Sequence, residues 1–413
     1  MIISKKVYLV LLGFLLIRLG TYFLLSRSEI SSAGQKVHYS GPIESEPRDR
    51  EGVQSFKMGG YNIITRGATV HFGDTINLTG KTSCPQKASF CDHPTIYYPE
   101  LKILEKSQTS FWWEAAANTR SKLLTAYQDV LPKKEADLLS GITLGSQGLN
   151  RDLKNKLATV GLTHVVAASG MNVSFFLAGV LLVLNYLRLK AGVKTVAAIL
   201  LILFYATLTG FDPPIVRAVI MAAAVQVSAL FGRQHSGVGG LVLAAGAMLW
   251  ADPGLIINPS FLLSFTAMTS QITLSALNFP LPKLGRPVIE IFLQSLLISF
   301  FTFPIVVIFF SNFSLISIFT NPIVLWTIEP LMILGAGIAS FGNIFMPISQ
   351  ALALPAQGML AFFLWVVDTF SQINFIRFQF SFSDPNAAIL FAVGYYFVLA
   401  SVLLKLVRNE RRA

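Results

Sequence analysis

From residue 161 almost to the C-terminus, long apolar runs alternate with short polar breaks, whereas residues 26–110 are polar and carry only strand-length alternation. A first apolar run covers residues 7–25, behind Lys5 and Lys6. It exceeds the roughly 7–15 residues of a signal-peptide core and approaches the roughly 20 needed to span a bilayer, so it reads as a retained anchor. A run ending at residue 189 follows the polar region, and others cover 195–212, 214–231, 237–251, 259–278, 289–310, 314–341, 347–369 and 386–407. The expectation is a polytopic α-helical membrane protein of about ten spans. The 237–251 run is short for a crossing, and the 314–341 run holds Pro322 and Pro330, which suits two half-helices.

The polar tract has its own pattern. "YNIITRGATVHFGDTINLTGKTS" reads as strand, turn, strand, with Ile76 and Leu78 on one face and Thr75, Asn77 and Thr79 on the other. "ELKILEKSQ" is a further strand. Short strands with Gly-Asp and Gly-Lys turns suit a small five-stranded β-barrel, of which the oligonucleotide-binding (OB) type is one option. Next comes "FWWEAAANTRSKLLTAYQDVLP", where Ala117, Leu123, Leu124 and Tyr127 share a helical face behind three aromatics. It reads as a helix lying at the membrane surface or packed on the polar domain. The expected organisation is an anchor at 1–25, an OB-like domain at 26–110, interfacial helices at 111–160 and a membrane domain at 161–413.

Composition supports this division. The chain is 53% hydrophobic and only 13% charged, against about 25% charged in soluble domains. Its net charge of +11 fits either a nucleic-acid partner or lysines and arginines that set membrane orientation. Position decides between them in part. One set of span ends holds Lys5, Lys6, Arg188, Lys190, Lys194, Arg233, Lys283, Arg286, Arg408, Arg411 and Arg412, whereas the opposite short loops hold Asp212, Asp252, Asp384 and Arg377. Both termini are therefore expected in the cytoplasm, with residues 26–160 outside. The two cysteines, Cys84 and Cys91, then fall in the oxidising compartment, where a disulfide is the expectation and two buried thiols the alternative.

One stretch stands out within the oily region: "GLTHVVAASGMNVSFF", residues 161–176. It resembles the signature of the ComEC family of DNA-internalisation proteins. "LTGFDPPIVRAVIMA" is similar to that family's Thr-Gly-x-x-x-Pro-x-x-Arg-Ala run. "ADPGLIINPSFLLSFTA" resembles its Asp-Pro then Ser-Phe-x-Leu-Ser-Phe element, and "FFSNFSLISIFTNPIV" its Phe, Asn and Pro element. "GDTINLTGK" looks like a strand of the family's outward OB-like domain. The resemblance implies passage of single-stranded DNA through the inner membrane during natural transformation. Many family members carry a C-terminal metallo-β-lactamase-like domain; this chain shows no His-x-His-x-Asp-His pattern before Ala413. Either a separate chain supplies the nuclease or this is a variant that only transports; a DNA receptor is a further expected partner, and a cytoplasmic motor is expected because no Gly-x-x-x-x-Gly-Lys-Ser/Thr loop is present. The chain is expected to need no cofactor, to hold no metal and not to be an enzyme.

Six residues are candidates for lining a polar path through the membrane. Gly170 weakens a helix by about 1 kcal/mol relative to alanine, and beside it Ser169 and Asn172 either face water or act as glue between helices. His164 is a lining group, a proton-responsive site or a packing residue. Arg217 lies near the start of a span, where arginine pairs, snorkels or marks an anionic substrate path. Asn321 and Glu329 lie in the proline-interrupted run, and interrupted helices are pointers to midplane sites. In the outer tract Lys57, Tyr61, Arg66, Phe72 and Lys81 mix cations with rings, as single-strand binders do; core packing and ordinary surface charge are the alternative. A secondary transporter or small-solute channel is the competing function, and lipid is the other expected partner.

Overall fold

The computed structural model describes residues 18, 36–43, 47–50, 53–58, 61–67, 70, 74–83, 95–105, 111–145, 149–166, 169–232, 236–276, 286–310, 312–314, 316–342, 345–372, 377–379 and 385–410. The expected anchor at 7–25, Phe72, Cys84 and Cys91 lie outside them, apart from Arg18. The chain divides into two compact units, Met1–Leu124 with Phe176–His235 and Val242–Ile257, and Thr125–Phe175 with Ser236–Leu241 and Asn258–Ala413.

Among the described residues, the first unit begins with a sheet of seven strands rather than five: β1 (Lys36–Pro42), β2 (Arg48–Arg50), β3 (Val53–Met58), β4 (Tyr61–Arg66), β5 (Thr75–Ser83), β6 (Thr95–Tyr97) and β7 (Glu100–Glu105). Their order is β1-β5-β6-β4-β3-β2, with β7 also on β5. Among the described residues, only the β4–β6 pair of this sheet is parallel. The two strands read first from the sequence, β4 and β5, are consecutive along the chain but both pair with β6 rather than with each other. The alternation on β5 holds: Ile76 and Leu78 are buried beside Ile43, Phe56, Met58, Ile63, Val70 and Ile96, while Asn77 is exposed.

Fourteen helices follow among the described residues: α1 (Phe111–Val130), α2 (Lys133–Leu144), α3 (Arg151–Val160), α4 (Thr163–Val166), α5 (Gly170–Tyr186), α6 (Ala191–Thr209), α7 (Pro213–Leu230), α8 (Gly237–Ala251), α9 (Pro259–Ala276), α10 (Arg286–Phe310), α11 (Ser317–Leu325), α12 (Ile328–Gly342), α13 (Met346–Ser371) and α14 (Pro385–Glu410). A small antiparallel pair, β8 (Asn312–Ser314) and β9 (Arg377–Gln379), sits between them in sequence. Among the described residues, five segments are long and apolar enough to cross a membrane: Thr163–Tyr186, Ala191–Thr209, Pro213–Leu230, Phe292–Phe310 and Met346–Ser371. The pair α11–α12, bent by 46°, would make a sixth. Gly237–Ala251 and Ala387–Val402 are shorter apolar helices.

In the first unit, α6 and α7 form a hairpin whose turn explains its sequence. Gly210 takes φ 87° and donates to the Ala206 carbonyl, Phe211 follows at φ 53°, and Pro213–Pro214 open α7 where a missing N–H costs nothing. The start of α1 is tied to the end of α6. Trp112 Nε1 donates to Thr207 Oγ1 at 3.2 Å, and Arg120 donates to the Leu208 carbonyl. Leu208 is among the last carbonyls of α6, which lack a partner within the helix, and a cation there also suits the helix dipole.

In the second unit, Pro304 interrupts α10 and removes the N–H that would serve the Phe300 carbonyl. Tyr395 on α14 donates its hydroxyl to that carbonyl at 3.0 Å, and Tyr396 does the same for Phe301 at 2.9 Å. A third tyrosine reports on the packing around α12. Tyr127 is buried against Gly335, and burial pushes its phenol up to about 12 despite a hydrogen bond to Thr143. Below about pH 10 folded and unfolded chains both keep this proton; above it the unfolded chain releases it first. The stabilisation is thus complete below pH 10 and is lost between about 10 and 12, by roughly 3 kcal/mol. Thermal unfolding of the purified protein against pH, compared with Tyr127→Phe, checks this: the variant should lose less stability over that window.

Candidate functional site

The stretch from Gly161 is a clasp among helix ends. Helix α3 starts where Asn150 Oδ1 accepts the Asp152 N–H, and it ends at Gly161 in the left-handed region, φ 75°. A Cβ at Gly161 would stand 2.5 Å from Ser317 Cβ, so both the dihedral and the close approach of α11 require glycine here. Thr320 on α11 donates to the Val160 carbonyl at 3.0 Å, serving one of the last carbonyls of α3. The single turn α4 then buries Val165 and Val166, and Val166 occupies the space a Cβ at Gly141 would need, 2.3 Å away.

At the start of α5 the polar side chains are fully engaged. Ser169 Oγ donates to Asn172 Oδ1 at 3.0 Å, and the Asn172 N–H donates to the Ser169 carbonyl at 3.1 Å. Asn172 Nδ2 donates to the Ile142 carbonyl at 2.6 Å, in the last turn of α2. Asn172 is 1% exposed. Its amide therefore closes the end of one helix and the beginning of another, and both its polar ends are bonded to protein. In this arrangement Ser169 and Asn172 join helices; the exposed side of the first turns of α5 is formed by Met171, Ser174 and Ala178. His164 is exposed on α4.

The break between α11 and α12 forms a second polar feature of the same unit. Pro322 lies inside α11 and Pro330 in the first turn of α12, and Thr327 at the bend turns its hydroxyl back to the Val324 carbonyl at 2.7 Å. Thr320 and Thr327 are fully buried. Asn321, 7% exposed, has an Oδ1 that accepts no hydrogen bond among the described residues. A buried carbonyl of this kind costs about 1–3 kcal/mol if left without a donor. Glu329 is exposed in the first turn of α12, where the helix dipole favours a carboxylate.

Arg217 belongs to the other unit. It sits half-buried in the second turn of α7, behind Pro213 and Pro214. The Asp-Pro and Asn-Pro pairs of the sequence prove to be local caps: Asp252 Oδ1 accepts the Gly254 N–H at 2.9 Å, and Asn258 Oδ1 accepts from Ser260 at 2.9 Å at the start of α9. No cluster of three or more His, Cys, Asp or Glu that could hold a metal occurs among the described residues.

On the sheet, Lys57 lies in β3, and Arg66 and Lys81 are exposed. Tyr61 is half-buried, packed on the core and edge-on to Tyr39 with ring centroids 6.3 Å apart. A sheet this small needs aromatic mass inside, so Tyr61 is a packing ring rather than a displayed one. Sequence reasoning did not single out Thr320, Gly141 or the Ile142 carbonyl. Thr320 is adjacent to Asn321, but nothing local says that it reaches Val160 across the chain.

A family model described as competence protein matches residues 142–408. The chain is 26% identical over 269 residues to the uncharacterized protein YcaI of Escherichia coli (strain K12), covering 61% of this chain and 35% of that protein. It is 26% identical over 239 residues to ComE operon protein 3 of Bacillus subtilis (strain 168), covering 55% and 30%, respectively. To competence protein ComA of Neisseria gonorrhoeae it is 29% identical over 245 residues, covering 56% and 34%. The chain thus spans about a third of the length of these curated relatives. No solved structure matches it.

Proposed function

This chain belongs to the competence protein family, and on that premise we propose that it carries single-stranded DNA across the bacterial plasma membrane during natural transformation. The observation that carries this reading is the family match over residues 142–408, which takes in the clasp at 161–172 and the broken pair α11–α12. Broken helices in a membrane are tolerated where they line a cavity or pack on protein. Asn321, whose buried Oδ1 accepts no hydrogen bond among the described residues, is the lining group we favour. Arg217 is the phosphate-binding candidate: its planar fork suits phosphate oxygens, and arginines within membrane spans pair or mark a substrate path. His164 and Glu329, both exposed, are further candidates for the path. In this reading the termini are cytoplasmic, and the β domain is OB-like and outside.

Deleting the gene in a competent host should abolish transformation while leaving growth unchanged; a deletant that transforms normally rejects the proposal. Complementation then tests the path. Asn321→Leu removes an unsatisfied polar atom at nearly constant volume, so membrane abundance should hold while uptake of labelled DNA falls. Arg217→Gln should behave alike. Unchanged uptake in either variant removes that residue from the path, and collapsed abundance assigns it to packing.

A further inference from the structure

Strands β6 and β7 are two parts of one strand laid along β5, and between them the register slips. Thr82 pairs with Ile96 on β6, and Thr79 pairs with Glu100 on β7. Three steps along β5 therefore face four along β6–β7, which inserts one residue at Tyr97–Tyr98–Pro99: a β-bulge. Tyr98 takes φ 48°, unusual for a residue with a Cβ, and its N–H donates to the Ile64 carbonyl on β4 at 2.7 Å. Opposite, Gly80 leaves no room for a side chain: a Cβ there would lie 2.4 Å from Ile96 Cγ2 and 3.1 Å from Pro99 Cβ. The corner is thus held by a neighbouring strand on one side and by contact packing on the other.

The bulge has a consequence for the two rings. A regular strand sends adjacent side chains to opposite faces. Here Tyr97 and Tyr98 are both displayed, 51% and 61% exposed. Cations flank them on each side. On β4, Arg66 lies two residues beyond Ile64, the partner of Tyr97, and is exposed. On β5, Lys81 adjoins the Thr82–Ile96 pair and is exposed; directly across from it on β1 stands Lys36, also exposed. Like charges facing each other across a ladder destabilise it, which an anionic partner would offset. The acid nearest in register is Glu100, opposite Thr79.

We propose that this corner is a stacking platform for the unpaired bases of a single-stranded polynucleotide, with Arg66, Lys81 and Lys36 on its phosphates. The proposal rests on the DNA-transport reading above and supplies an entry contact for the same strand. Stiff, adjacent, exposed rings between cations are what a flexible strand with accessible base faces can use; a duplex hides those faces in its own stack. Preorganising the rings on a bulge lowers the entropy lost on binding.

The test uses the full chain in nanodiscs of zwitterionic lipid, with a single-stranded oligothymidylate carrying 5-iodouracil. Long-wavelength irradiation should crosslink the probe to the peptide holding Tyr97 and Tyr98, whereas a duplex of equal length should not crosslink there. Tyr97→Ala with Tyr98→Ala should weaken binding about tenfold or more, and Tyr97→Phe with Tyr98→Phe should keep it within about twofold, since rings alone supply stacking. Lys36→Gln with Lys81→Gln should reduce the magnitude of the salt slope by about 1.4. Crosslinks confined to other peptides, an alanine variant that binds like wild type, or a phenylalanine variant that fails equally would each overturn the platform. So would binding to anionic vesicles through these tyrosines without binding to the oligonucleotide. Cells separate the two levels: normal DNA uptake in the alanine variant, with none in the deletant, sinks the platform alone, whereas normal uptake in the deletant sinks the transport reading.

Discussion

Alanine at position 161 will destabilise the folded protein by about 2–5 kcal/mol. The left-handed backbone of Gly161 costs a residue with a Cβ roughly 1–2 kcal/mol. The clash with Ser317 adds an overpacking cost of roughly 1–3 kcal/mol. The two parts are separable, because only the second depends on the neighbour. Adding Ser317→Gly should recover the packing share and leave the dihedral share in place. Thermal unfolding of purified wild type, Gly161→Ala and the double variant measures both. An unchanged midpoint in the single variant contradicts the tight approach of α3 to α11, and no recovery in the double variant locates the cost elsewhere.

Replacing Asn172 has the second large effect, and it distinguishes a clasp from a water-facing group. Asn172→Ala leaves the buried Ile142 carbonyl without its donor, at about 1–3 kcal/mol, and the half-buried Ser169 hydroxyl without its acceptor. Asn172→Asp should be worse while ionised, because it sets one acceptor against another at the 2.6 Å contact and buries a charge. Both variants should show lower unfolding midpoints and lower membrane abundance, with aspartate the poorer. If the side chain met water instead, solvent would replace the lost amide and alanine would cost little; wild-type abundance and midpoint in Asn172→Ala would thus return this residue to the lining of a path.

These effects show where reading the chain succeeds and where it stops. Apolar runs marked the helices because burial in lipid or in a helical core demands a contiguous hydrophobic length. Pro322 and Pro330 announced the break at α11–α12, since proline acts on its own backbone. The gap between the apolar runs 195–212 and 214–231 falls within the turn that Gly210 and Pro213–Pro214 form. The alternation along β5 identified Ile76 and Leu78 as its inward residues. In the candidate site, Ser169, Asn172 and Asn321 could be picked out as polar atoms in an apolar setting, but not what each one meets. Asn172 finds Ile142 thirty positions away, and Thr320 finds Val160 at a separation of 160.

The β domain makes the same division sharper. Composition near Tyr61, Arg66 and Lys81 suggested rings among cations, yet the ring close by in sequence turned inward, and the displayed ones, Tyr97 and Tyr98, owe their exposure to a register slip against β5. Helix lengths, breaks and turn residues are legible along the chain because each follows from interactions within a few residues. Which polar atoms are satisfied, and which side chains remain on display, depends on segments that meet only after folding, so hydrogen-bond partners and exposure become definite only in three dimensions.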